Sequence, residues 1–246
     1  MALSRRGIVE LLRAPESLFP AVFIPLFFFV VNVGQAGKIF PSGTPFLDGQ
    51  PYAAFQLPAA ILLAASFGSA ALYLVEDIEG GYFDKLRATP VSRTAIVLGR
   101  LTAEAAKVAA IAAVLVLASL PFGVSIASGP LGLFLLLLLA ASWAVVFSGF
   151  IQLIALKSRS AAATQSGSLV FFPLLFLTPN FVPRNLLTRP MEVAATFNPV
   201  TYILEALRSL ILDDLAWATI GRGFAVVAVA GIAMVALNVR TIRSYD

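Results

Sequence analysis

From Leu131 to Leu156 the chain carries no charged side chain. That run exceeds the ~20 residues an α-helix needs to cross the hydrocarbon core of a bilayer. No other feature constrains the fold as strongly. Inside lipid every backbone N–H and C=O must be satisfied within the chain, so a spanning segment is a helix or part of a closed barrel. Tyr52–Val75, Leu18–Gly34, Gly167–Asn180 and Gly223–Val239 are also uncharged, the third of these broken by Pro173 and Pro179, and Ala103–Leu120 is apolar apart from Glu104 and Lys107. Only 12% of the residues are charged, about half the share of a soluble domain. The pattern predicts an all-α integral membrane protein with six transmembrane helices, as one domain over residues 1–246.

Between the spans the chain has two informative stretches. The first is the polar run Glu76–Arg93, a loop read with a short helix in it. Ile78, Tyr82, Phe83 and Leu86 fall near one side of that helix, and Glu79, Asp84, Lys85 and Arg87 surround them. Pro90 ends it, because the residue before a proline is pushed out of the α region. Ser92 caps the next helix. Paired aromatics in a charged loop point to a docking element rather than to a solvated turn. The second stretch is Phe181–Leu212, kept irregular at first by Pro183 and Pro190. Asn198 is an N-cap with Pro199 at the first helical position. Thr201, Glu205 and Arg208 then form a polar stripe among Tyr202, Ile203, Leu204 and Leu207, with Arg208 expected to pair with Glu205 or with a partner subunit. This segment is too short to span and is expected to lie in the interface or re-enter the bilayer.

Smaller features complete the reading. Met1–Glu16, with Arg5, Arg6 and Arg13 among Ile8, Val9, Leu11 and Leu12, suits an amphipathic helix on the membrane surface ahead of an uncleaved first span. Ala64–Ala71 offers a small-residue face for close helix packing. Ser160–Gln165 reads as a polar link. Arg100 and Lys107 flank Glu104 as parts of a structural ion pair, while solvation accounts for Asp77 and Asp213 at span ends. The positive-inside rule places both termini and Glu76–Arg93 in the cytoplasm. Of the 17 basic residues, that leaves only Lys38, Arg184, Arg189, Arg208 and Arg222 on the outer side. The basic balance needs no nucleic acid to explain it.

Catalytic signatures are missing. The sequence has no histidine and no cysteine, which removes thiolate and imidazole metal sites and the commonest general base. Gly34–Lys38 lacks the spacing of a phosphate-binding loop. The spans hold almost no ionisable group of the kind a proton-coupled carrier keeps at membrane depth. Energy for any transport must therefore enter from another subunit.

Glu76–Arg100 (EDIEGGYFDKLRATPVSRTAIVLGR) resembles the cytoplasmic signature of ABC-2 type permeases, closest to the daunorubicin-resistance permease branch. Phe197–Leu210 (FNPVTYILEALRSL) is similar to the segment after the family's fifth span, and FVP at Phe181–Pro183 fits the stretch before it. Gly80-Gly81-Tyr82-Phe83 departs from the commoner G-T-[LI]-E wording, which leaves the cargo open. The resemblance implies a membrane subunit of an ABC exporter for a hydrophobic or amphipathic cargo such as a drug, antibiotic or lipid, in the cytoplasmic membrane. It implies a dimer with a second permease copy or a paralogue, above two ATPase subunits that bind the ATP and magnesium. The chain itself then carries no cofactor and is no enzyme. Glu79, Tyr82, Phe83, Asp84, Lys85, Leu86 and Arg87 would form the coupling helix that docks on the ATPase. Asn198, Pro199, Tyr202, Glu205 and Arg208 would belong to an external gate. A polysaccharide or glycolipid export permease of the same architecture is the alternative with another cargo. A non-transporting membrane enzyme or scaffold subunit is the alternative from another class.

Overall fold

The computed structural model of the protein describes residues 15–67, 70–82, 85 and 92–243. Among these, all regular structure is helical. Four helices are long and apolar enough to cross a membrane: α1 (Pro15–Ala36), α4 (Arg93–Ser119), α5 (Gly129–Ser158) and α10 (Trp217–Arg243). Shorter helices lie between them: α2 (Tyr52–Ala64), α3 (Ala70–Glu79), α6 (Ala161–Ser168), α7 (Phe171–Phe176), α8 (Arg189–Phe197) and α9 (Pro199–Leu212). The amphipathic N-terminal helix expected over Met1–Glu16 lies almost wholly outside the described residues.

The second uncharged stretch, read as a continuous span, is broken, and so is the fifth, where Pro173 and Pro179 already predict an interruption. The second changes course after α2, with Ala65 and Ser66 in a turn, and resumes as α3. The small-residue face expected over Ala64–Ala71 falls at this break, and its Gly68 and Ser69 lie outside the described residues. The fifth divides into α6 and α7 at Leu169 and Val170. Residues 160–165, read as a polar link, are not one. Ser160 is an N-cap whose hydroxyl accepts from the Ala163 N–H, and α6 follows from it.

Burial does not follow element length. Every residue of α2 is buried, and so are most residues of α9, whereas only 17% of the spanning window of α1 and of α10 is covered. The short α2 and α9 lie at the centre, and α1 and α10 lie at the outside. Phe19, Phe23 and Phe27 on α1 repeat every fourth residue and stack on one another at 5.1 and 6.0 Å, facing outward. In α10 Val229 and Ile232 also face outward. Such exposure suits a lipid surface, where apolar side chains need no cover.

Close approach of backbones joins the centre to the shell. A Cβ at Gly223 of α10 would lie 2.5 Å from Ala206 Cβ and 3.2 Å from the Tyr202 carbonyl oxygen of α9. Gly221, two residues earlier, faces open space. Gly223→Ala should therefore destabilise the purified protein by about 1–3 kcal/mol, the usual cost of overpacking, while Gly221→Ala leaves it unchanged. Thermal unfolding in detergent compares the two.

Candidate functional site

Breaking helices in a membrane protein frees carbonyls that water does not reach, so side chains must supply the donors. This chain meets that need most densely around residues 174–181. α7 ends at Phe176, and Pro179, which has no N–H, follows it. The carbonyls of Leu174, Pro179, Asn180 and Phe181 are taken up by side chains of α2, of α9 and of its N-cap. The Asn198 amide donates to Leu174 O at 2.6 Å. The Arg208 guanidinium donates to Pro179 O at 3.1 Å, to Asn180 O at 3.4 Å and to Phe55 O of α2 at 3.3 Å. Its plane lies 3.4 Å from the Phe55 ring centroid. From α2, Gln56 donates to Asn180 O at 3.1 Å and to the Tyr52 hydroxyl at 2.6 Å, and Tyr52 donates to Phe181 O at 2.8 Å. Phe55 O lies three residues before Pro58, within the turn that the proline distorts.

The expected ion pair between Arg208 and Glu205 is not formed. Arg208 is 7% exposed and turns inward to the three carbonyls. A planar fork with five donors serves separated acceptors as no single carboxylate contact would. Glu205 instead takes Arg184 in two parallel bonds of 3.0 Å, and Arg184 also lies 5.3 Å from the Tyr202 ring. Tyr202 donates to Thr196 O at 2.8 Å, which ties the end of α8 to α9. The stripe read as polar and interfacial is largely internal, since Thr201 is fully buried as well. Asn198 and Pro199 stand where the sequence placed them: the Asn198 side chain accepts from the Val200 N–H at 3.0 Å, and Pro199 opens the helix. At the other end of α9, Gln50 and Ser128 donate to the carbonyls of Ile211 and Leu210. Beyond it, burial raises the Asp213 carboxyl above its ordinary range, and the carboxylates of Asp48 and Asp214 add to the shift.

Beside this node is a crevice between α1, α2 and α7. Phe28, Phe29 and Phe176 supply aromatic walls, and Asn32, Gln56 and Asn180 supply carboxamides. Among the described residues no charged side chain lines it. The Asn180 Oδ1 is buried there without a hydrogen-bond partner. Sequence reasoning named none of these three amides. The available signal was a carboxamide inside an otherwise uncharged apolar run, which is costly unless bonded or used.

At the opposite end, α3 stops at Glu79 and the chain turns at Gly81, whose φ of 70° suits glycine. This corrects the single short helix expected through Ile78, Tyr82, Phe83 and Leu86. Ile78 belongs to α3 and packs on the core, while Tyr82 lies past the turn. Glu79, Tyr82 and Lys85 are exposed. Phe83, Asp84, Leu86 and Arg87 lie outside the described residues. Ser92 caps α4, accepting from the Ala95 N–H. Asp77 is paired with Arg100 of α4 rather than simply solvated. Glu104 pairs with Lys107, as expected, and without Arg100.

Four helices long and apolar enough to cross a membrane, with short buried helices between them, give the layout of a multi-span membrane protein. The ABC-2 type transporter family model matches residues 1–212, and the chain belongs to that family. It is 25% identical over 212 residues to the "Daunorubicin resistance ABC transporter permease protein DrrB1" of Streptomyces coeruleorubidus, covering 83% of this chain and 72% of that protein. The family implies an ABC system with an ATPase partner.

Arg208→Met removes the donor from three buried carbonyls. An unsatisfied buried acceptor costs about 1–3 kcal/mol, so the loss should be roughly 2–4 kcal/mol after relaxation. Arg184→Met breaks a part-exposed pair and should cost under about 1 kcal/mol. Denaturation of the two variants in the same detergent measures the difference.

Proposed function

We propose that this chain is the membrane-spanning permease subunit of an ABC exporter in the cytoplasmic membrane. It moves a hydrophobic or amphipathic molecule, and separate ATPase subunits supply the energy. In this reading α2 with α3, and α6 with α7, are the second and fifth of six spans, interrupted at their centres. Both termini and the Glu76–Arg93 turn face the cytoplasm. Two copies, or this chain and a paralogue, stand above two ATPases that bind ATP and magnesium. A resistance-type cargo is what the name of the Streptomyces relative suggests.

The observation that carries the reading is the turn at Gly81. It leads the chain off the α3 axis and leaves Tyr82 and Lys85 exposed at the end of a helix that reaches the centre of the molecule. Glu79, Tyr82, Phe83, Asp84, Lys85, Leu86 and Arg87 form the docking element, with the aromatics filling a cleft of the ATPase and the charges setting register. Asn198, Pro199, Tyr202, Glu205 and Arg208 belong to the outer gate. Asn198 and Arg208 hold residues 174–180 in place, while Tyr202 and Glu205 hold the outer segment through Thr196 and Arg184. The crevice bounded by Asn32, Gln56 and Asn180 is the surface the cargo meets. Its aromatic walls and uncharged amides favour an amphipathic molecule over an ion.

The Tyr82→Ala, Phe83→Ala double variant tests the docking role. It should insert and purify as well as wild type yet lose its ATPase, because a central aromatic anchor is worth about 2 kcal/mol or more, roughly a thirtyfold loss of affinity. Retention of the ATPase with normal substrate-stimulated hydrolysis would contradict the assignment.

A further inference from the structure

Glu104 and Lys107 are the charged pair that costs this protein most to keep. Their side chains are 0% and 4% exposed, and the Lys107 ammonium lies 2.8 Å from Glu104 Oε1. At 1.5 Å per residue Lys107 sits about 21 Å into a helix of about 40 Å, close to the middle of α4. Buried charges inside an apolar helix are expensive and mark function more often than stability. A buried pair of this kind is commonly no more stabilising than two apolar side chains of similar volume. Stability alone therefore does not account for it.

A further contact of Lys107 does. Its ammonium donates at 3.1 Å to the carbonyl of Phe67, three residues past the end of α2 and inside the break. A buried carbonyl that has left the helical ladder needs a donor, and the ammonium supplies one. Arg100, Glu104 and Lys107 follow at spacings of four and three residues and share one face of α4. Arg100 holds Asp77 of α3, and Lys107 holds the end of α2. One face of one helix thus grips both halves of the broken segment. The outer half is tied in turn through Phe55 to Arg208, and through Tyr52 and Gln56 to residues 180 and 181.

We infer that Lys107, oriented by its ion pair with Glu104, is a positioning residue for energy coupling. It pins the inner end of α2 to α4, so that a displacement of α3 and α4 from the cytoplasmic side moves α2 and the Arg208 node with it. Without the pin the break at Ala65–Phe67 absorbs the displacement. The inference rests on the proposed permease function, and it assigns a role to residues that neither docking nor gating uses.

The test is a charge swap, Glu104→Lys with Lys107→Glu, in the full permease–ATPase complex reconstituted in vesicles. The swap keeps a neutral pair but places a carboxylate against Phe67 O. The expected result is an assembled complex with basal ATP hydrolysis like wild type and at least a tenfold loss of cargo moved per ATP, while Lys107→Arg stays within twofold of wild type. Transport by the swap at the wild-type ratio overturns the inference, and so does a Lys107→Arg variant as defective as the swap. Should the swap not assemble, Glu104→Leu with Lys107→Leu replaces it. An unchanged or raised Tm with the same tenfold loss supports a coupling role, and unchanged transport refutes it. Hydrogen exchange in the permease alone separates this inference from the functional reading. Amides at residues 65–67 should exchange at least tenfold faster in the swap or, where the swap does not assemble, in the double leucine variant. Unchanged exchange there sinks the pin whether or not the wild type transports.

Discussion

The arginine at position 208 is the contact on which the centre of this molecule depends. A polypeptide in lipid keeps an unbroken helix because no water is present to accept its backbone groups. This protein breaks two of its apolar segments, and the guanidinium is what makes one break tolerable. It reaches α2 and the segment after α7 at once, donating to Phe55, Pro179 and Asn180. Asn198, Gln56 and Tyr52 complete the set. With those carbonyls satisfied, the chain can hold an irregular turn against an amide-lined crevice.

The second break is met in the same way and at a different depth. Lys107 supplies the donor for Phe67 O, and Glu104 supplies the charge that keeps the lysine affordable there. The two basic residues sit at opposite ends of α2, which is buried throughout its length. α2 therefore joins the turn beyond α3 to the polar node at α9. The long helices α1, α5 and α10 add span and lipid contact, and the short central ones carry the polar chemistry.

Much of this was legible in the sequence, and what was missed has a common cause. Charge-free runs located α1, α5 and α10, an apolar run holding only Glu104 and Lys107 located α4, and Asn198-Pro199 and Ser92 were readable as caps because capping is a local event. Pro173 and Pro179 marked the fifth span as interrupted, since a proline removes a helical N–H. The break after Ala64 was not readable, because the donor beside it, Lys107, lies far along the chain. Spacing within α9 pointed Arg208 to Glu205, three residues away, but the arginine found carbonyls 28, 29 and 153 residues distant and left Glu205 to Arg184. Asn32, Gln56 and Asn180 were passed over because what they line is set by α1, α2 and the segment after α7 meeting in space, which spacing along the chain does not show.

The central claim is that α3 ends in the cytoplasm and that the segment held through Arg184 and Arg208 faces outward. Single cysteines decide it, because the chain has none of its own. In intact cells a membrane-impermeant maleimide should label a cysteine placed at Leu186 and should reach one placed at Glu79 only after the membrane is opened. Labelling of the Glu79 position from outside, or protection of the Leu186 position, would invert the topology and contradict the account.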